Sequence, residues 1–293
     1  MTAISAALVK ELRERTGAAM MDCKRALEET QGSLEGAVEV LRKSGSAKAD
    51  KKAGRIAAEG RVEIVELNNK AVMVEVNSET DFVAKDQNFV PFVKSVAETA
   101  LQHQIETVAD LLGQPLKGDE SHTVEEARQA LVAKVGENVQ IRRIVMCKDV
   151  ATIGTYVHSG KIGAMVALDV DNKELARELA MQVAASNPKV TSPEDIDQAT
   201  IAKEKEIFLA QSASSGKPQN IIEKMVEGRL KKFLDEVSLV GQPFVKDPEI
   251  TVGSLLNKHR AKVLAFYRFE VGEGIEKTAE DFKEAVMSQV KGN

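Results

Sequence analysis

Two stretches of this sequence switch to β-rich runs, each around a turn signal. Val62, Ile64, Val65 and Leu67 precede Asn68-Asn69, and Ala71, Val72, Met73, Val74 and Val76 follow. Asn accepts the left-handed backbone of a tight turn, so this segment reads as a β-hairpin. Thr155, Tyr156 and Val157 precede Ser159-Gly160, and Ile162 to Val170 follow, which gives a second hairpin. Helical spacing comes after each. Phe89, Phe92, Val93, Val96, Ala97 and Ala100 share one face, and a further helix around Val124 to Val135 leads to a strand from Val139 to Val145. Leu175, Ala176, Leu179 and Val183 mark a helix capped by Asp171 or Asn172 that stops before Asn187-Pro188, and a last strand runs from Lys262 to Phe269. The two closing strands share an Arg before an apolar residue, Arg143-Ile144 and Arg268-Phe269. The fold class read from this order is α+β, with a duplicated hairpin–helix–strand core.

Helical segments flank and interrupt that core. Leu8, Val9 and Leu12 form a stripe ending at Gly17; Asp22, Cys23, Ala26 and Leu27 belong to a second segment; Ser33 caps a third with Leu34, Ala37, Val38 and Leu41 inward. Ser44 to Gly54 reads as a linker or an exposed helix. The overlapping stretch Arg42 to Arg55 holds Arg42, Lys43, Lys48, Lys51, Lys52 and Arg55 against only Asp50, which marks a solvated basic linker ahead of an RNA-binding arm. Ile196 to Ala213 and Asn220 to Glu236 form a helical hairpin around Ser214-Ser215-Gly216-Lys217-Pro218, with Ile201, Ile207 and Phe208 able to face Ile221, Ile222, Met225 and Leu230. Such an arm has little core of its own and is expected to meet another chain. A tail helix carries Ala279, Phe282, Val286 and Met287. The expected division is 1–55 for the N-terminal helices and basic linker, 56–147 and 148–190 with 237–271 for the two halves of the core, 191–236 for the arm, and 272–293 for the C-terminal module.

Composition narrows the function. A net charge of -5 disfavours nucleic acid as the main partner, and aromatics at 4% with no Trp leave no stacking platform. Cys23 and Cys147 are far apart, which excludes a disulfide framework and a zinc site, and no apolar run is long enough for a membrane span. No leader is visible either, so the expected location is the cytoplasm. No phosphate-binding loop occurs, and Gly272-Glu273-Gly274 lacks the third Gly of a dinucleotide fingerprint. His103, His122, His158 and His259 lack ligand spacing, and a Cys23–His158 pair would join remote segments. The reading is a non-enzyme with no cofactor and no metal.

One stretch stands apart. Asn77-Ser78-Glu79-Thr80-Asp81-Phe82-Val83-Ala84-Lys85-Asp86 follows a strand and precedes a helix, and it sets an apolar pair beside a carboxylate. On residues alone, Phe82 either tucks into the local core with Asp81 capping the next helix, or projects toward a partner. This string is similar to the T-D-F-V signature of the bacterial elongation factor Ts family. Arg15-Thr16-Gly17-Ala18-Ala19-Met20-Met21-Asp22-Cys23-Lys24-Arg25-Ala26-Leu27 resembles the family's N-terminal signature. Lys134-Val135-Gly136-Glu137-Asn138, His158-Ser159-Gly160-Lys161-Ile162-Gly163, Val183-Ala184-Ala185-Ser186 and Gly241-Gln242-Pro243-Phe244 follow in family order. The chain departs at Ala19, where Gly is frequent, and at Ser78-Glu79, where Cys followed by Gln or Glu is frequent.

The resemblance implies an N-terminal domain like ubiquitin-associated domains, a coiled-coil dimerisation arm giving a 2:2 complex, and elongation factor Tu as partner. It implies that Thr80, Asp81, Phe82 and Val83 dislocate Mg²⁺ in that GTPase and so promote GDP release. Arg13, Met20, Met21, His158 and Phe282 are implied as further contacts. The rival expectation is a ribosome-associated chaperone or scaffold without exchange activity.

Overall fold

Ser5 begins α1 (Ala6–Thr16) by accepting from the Leu8 amide at 3.2 Å, and Gly17 ends it in the left-handed conformation, φ 65°. Our computed structural model describes residues 4–213 and 218–276. α2 (Met20–Glu29) and α3 (Leu34–Lys52) pack on α1 around Leu12, Cys23, Leu27 and Ala37. Of the two alternatives for Ser44 to Gly54, the helix is what forms: α3 continues through it to Lys52. The basic run is not solvated throughout. Lys48 pairs with Asp22 at 2.6 Å, Arg42 with Glu126, and Arg55 with Glu79 at 3.6 Å, while Lys52 donates to the Gly136 carbonyl. Ala49 is buried in the core of the neighbouring sheet.

β1 (Glu59–Leu67) and β2 (Lys70–Ser78) pair antiparallel across Asn68-Asn69, whose φ values of 52° and 55° are those of a type I′ turn. After β2 come α4 (Asp81–Ala84), α5 (Phe89–His103), α6 (Val108–Leu112), a small hairpin of β3 (Pro115–Leu116) and β4 (Asp119–Thr123), α7 (Val124–Val135) and β5 (Val139–Cys147), which completes a sheet in the order β1-β2-β5. The second half repeats the plan. β6 (Thr152–His158), β7 (Ile162–Leu168) and α8 (Lys173–Ser186) lead into α9 (Gln198–Ala213) and α10 (Gln219–Val237). The hairpin of β8 (Pro243–Phe244) and β9 (Asp247–Thr251) follows, then α11 (Val252–His259) and β10 (Val263–Glu270), giving the order β10-β7-β6.

Both central strands are apolar on both faces, so each sheet must be covered twice. Val72, Val74 and Val76 of β2 meet α5 and α7, while Ala71 and Met73 point at the other sheet. On β7, Ala164, Val166 and Leu168 meet α8 and α11, and Met165 and Ala167 point back. The result is four layers: helices, sheet, sheet, helices. Gly163 permits the close approach of the sheets, since a Cβ there would lie 2.5 Å from Val62 Cγ1 and 2.8 Å from Met73 Sδ. Gly154 does the same for β6 on α8, where a Cβ would fall 2.0 Å from the Ala176 carbonyl. Gly154→Ala must push strand and helix apart, and urea denaturation should show a loss of about 2 kcal/mol.

The short hairpins, α6 and α11 are absent from the sequence reading, although a signal exists. Gly113-Gln114-Pro115 and Gly241-Gln242-Pro243 repeat, as do Thr123-Val124 and Thr251-Val252. Each Thr caps its helix, and the Val124 and Val252 amides donate to the Gln114 and Gln242 carbonyls at 2.8 and 3.0 Å. In the arm, α9 and α10 pack with Phe208 edge-on to Phe233 at 6.4 Å, and Ile222 and Val226 are buried. The expected facing set needs correction: Ile207 and Ile221 turn outward, 37% and 40% exposed. The tail helix expected around Phe282 lies outside the described residues. Among the described residues, no helix is long and apolar enough to cross a membrane.

Candidate functional site

The duplication isolates one segment as an addition. In the second half, residues 169–172 suffice to connect β7 to α8; in the first, residues 79–88 connect β2 to α5. The fold does not require the longer connection, which contains α4.

α4 is a single turn. Thr80 caps it, its Oγ1 accepting from the Val83 amide at 3.4 Å, and the Ala84 amide donates to the Thr80 carbonyl at 3.3 Å. Thr80 is itself gripped by Glu137: its amide donates to one carboxylate oxygen at 3.0 Å and its hydroxyl to the other at 2.7 Å. At the far end, Asp86 accepts from the Asn88 amide at 2.7 Å, which starts α5. Successive helical residues are rotated by about 100°, so neighbours on this turn face different ways. Val83 turns inward against the α5 core, and Ala84 is buried. Phe82 turns outward and is 82% exposed, more than any other large apolar residue of the described chain. The alternative in which this ring tucks into the core is therefore not what forms. Nor does Asp81 cap the helix, since Thr80 does.

Asp81 sits half-buried in the first turn and pairs with Lys85 at 2.8 Å. The Lys85 hydrogen bond holds its carboxyl below the usual aspartate range, against a weaker upward push from burial, with further help from the Lys85 and Lys161 charges. The segment thus presents an uncovered aromatic beside a fixed negative charge. Thr80 and Val83, expected to act with them, also hold the turn.

The other expected contacts fall in several places. Met20 and Met21 open α2 and are 58% and 63% exposed, and Arg13 is exposed on α1. Lys134 joins this flank to the inserted segment, for its Nζ donates to Asn88 Oδ1 at 2.7 Å and lies 3.1 Å from where a Cβ on Gly17 would be. His158 is exposed at the end of β6, with the Tyr156 hydroxyl 3.2 Å from Nδ1. Its turn is tied to the first sheet by the Val62 amide on the Gly160 carbonyl at 2.8 Å and by Lys161 on Glu59 at 2.7 Å. Phe282 lies outside the described residues. Sequence reasoning gave no role to Glu137, Lys134 or Asn138, although all three lie in the motif Lys134-Val135-Gly136-Glu137-Asn138.

Two open grooves of about 470 and 570 Å³ flank the Asn68–Lys70 turn, at the other end of β2 from α4. Among the described residues, no group of His, Cys, Asp or Glu is placed to hold a metal ion.

Comparison with known proteins is specific. A family model described as Elongation factor TS matches residues 79–273. The protein named Elongation factor Ts from Coxiella burnetii (strain RSA 493 / Nine Mile phase I) is 54% identical over 295 residues, covering 100% of both chains. Its namesake from Thioalkalivibrio sulfidiphilus is 56% identical over 294 residues, 99% of each chain. That of Legionella pneumophila (strain Paris) is 53% identical over 293 residues, 99% of this chain and 100% of its own.

Proposed function

Because the chain belongs to the elongation factor Ts family, and so is a translation elongation factor, we propose that it is a guanine-nucleotide exchange factor for elongation factor Tu, working without an enzymatic step or a cofactor. The observation that carries this reading is Phe82: an 82% exposed ring on a capped turn that the duplicated half of the fold lacks. Placed between helices of the partner's nucleotide domain, the ring displaces the groups around the partner's Mg²⁺ and phosphates, with Asp81 supplying charge beside it. A GTPase holds its nucleotide through phosphate-cradling amides and that ion. Magnesium demands near-octahedral geometry, so a shift of about 1 Å in its ligands loosens GDP.

Arg13, Met20 and Met21 form a second contact on the GTPase domain, Met being suited to irregular surfaces; His158 and Phe282 are further contacts. In this reading residues 1–55 form a domain like ubiquitin-associated domains, 56–147 and 148–190 with 237–271 form the core, and 272–293 form a C-terminal module. Residues 191–236 are a dimerisation arm giving a 2:2 complex, supported by the outward Ile207 and Ile221. The setting is the cytoplasm, with no direct contact to nucleic acid or membrane.

Linkage fixes the cycle. If the factor lowers nucleotide affinity, nucleotide lowers factor affinity by the same ratio, so incoming GTP releases the factor for another round. The test is elongation factor Tu loaded with fluorescent GDP and chased with excess unlabelled nucleotide. Factor at about one-tenth of the partner concentration should release all the label, at least about 100-fold faster than the intrinsic rate. Binding without accelerated release would instead identify a scaffold or chaperone.

A further inference from the structure

The turn from α7 into β5, residues 134–140, touches both the start of α4 and the residues that follow α3. Toward α4, Glu137 accepts both hydrogen bonds of Thr80, and the Asn138 amide donates to Glu79 at 2.6 Å. Toward the N-terminal helices, the Asn138 side-chain amide donates to the Arg55 carbonyl at 2.8 Å and the Ala53 carbonyl at 3.3 Å. Gln140 adds a bond to the Ala53 carbonyl at 3.0 Å. Asn138 is fully buried, so both its attachments are shielded from water. One short turn therefore holds the end of α3 and the start of α4 together.

α4 needs such a support. A single helical turn fixes several backbone angles for one or two hydrogen bonds and is unstable alone. The exposed Phe82 ring contributes no packing that would aim it. Its direction is set by the Thr80 cap and the inward Val83, and the cap is held by a carboxylate accepting two charge-assisted bonds, about twice as strong as neutral ones. We propose that Glu137 is a positioning residue for nucleotide exchange: acting through Thr80, and with Asn138 gripping the end of α3, it fixes the pitch of Phe82 relative to the N-terminal helices, so that both surfaces meet one partner at once. This rests on the exchange reading above. Preorganisation of this kind acts on the rate within the complex more than on its formation.

The test has two arms, both on the full chain. In the free protein, Glu137→Ala should raise amide exchange at Val83 and Ala84 about tenfold while Val72 and Val74 in β2 stay protected. An unchanged rate overturns the proposal, as does a rise shared by β2, which would mean general loosening. With labelled elongation factor Tu, Glu137→Ala should lower the maximal release rate at saturating factor about tenfold, with the half-saturating concentration changed less than about threefold, and Glu137→Gln, which keeps one acceptor oxygen, should recover most of the loss. In the Phe82→Ala background the same substitution should cost less than about twofold, because its effect runs through the ring. Equal losses in both backgrounds overturn the proposal. If Phe82→Ala slows release and Glu137→Ala does not, positioning alone falls. If Phe82→Ala leaves release unchanged, the wedge itself falls.

Discussion

Phe82→Ala is expected to lower the factor-stimulated rate of GDP release about 100-fold, a loss of roughly 2.7 kcal/mol of barrier lowering, while leaving the chain as stable as before. The two halves of this expectation have separate causes. In the free protein the ring is 82% exposed, so truncating it removes little buried area, and exposed substitutions of this kind stay within about 0.5 kcal/mol. Buried against a partner, an aromatic side chain removes about 150 Å² or more from water, worth about 4 kcal/mol before the cost of ordering. That is enough to drive a displacement that an alanine methyl cannot. Phe82→Leu keeps an apolar wedge of smaller reach and should fall between the two. Stopped-flow release of fluorescent GDP at saturating factor, beside a thermal melt of each variant, decides the matter. A release rate unchanged by Phe82→Ala eliminates the wedge, and a lowered melting temperature would show that the ring supports the fold instead.

The sequence says less about this ring than about the strands beneath it, for a physical reason. Asn68-Asn69 between two β-rich runs specifies a hairpin from local chemistry alone, because left-handed backbone at two successive residues admits few alternatives. Phe82 and Val83 are equally apolar neighbours. Which of them faces out depends on the turn that Thr80 begins, and that turn is held by Glu137, 57 residues away. The basic run from Arg42 to Arg55 misleads for the same reason, since Glu126, Gly136 and Glu79, which receive its cations, are remote in the chain. Two-residue strands such as Pro115–Leu116 are too short to carry a period. The apolar run Ala71–Val74 of β2 announces burial on both faces without naming what covers them. In this chain the covers are α5 and α7 on one side and the second sheet on the other. Phe282 remains an expectation from resemblance alone.

The largest loss of stability should come from a carboxylate that the composition hides among forty-five acidic residues. Glu75 lies on β2, on the face toward the second sheet, and is fully buried. It accepts from Arg143 Nε, from Arg142 Nη1 at 3.1 Å, from Asn77 Nδ2 at 3.1 Å and from the Gly272 amide at 2.8 Å. Arg143 continues the network to the Glu270 carbonyl at 3.0 Å and stacks over Phe269 at 4.2 Å. Thus one side chain ties β2 and β5 to the end of β10. Removing a buried partner of this kind typically costs 3–5 kcal/mol; with both arginines still partly open to water, Glu75→Ala should cost about 3 kcal/mol, or roughly 8 °C in melting temperature. Well below the melt, its GDP release should stay within about twofold of wild type, which separates it from Phe82→Ala.

Burial alone would raise the Glu75 pKa, but the Gly272 amide, Arg143 and Asn77 overcome that push and leave it below the ordinary glutamate value of 4.5. The folded state therefore prefers the ionised form, and the associated stability is complete above about pH 4.5 and drains away as pH falls through the lowered folded value. Urea denaturation of wild type and Glu75→Gln should accordingly differ by a constant amount between about pH 7 and pH 5, with the gap narrowing below about pH 4. A gap that instead widens as pH falls from 7 to 5 would mean that desolvation outweighs the donors around this carboxylate, and that the network does not hold the two sheets as argued.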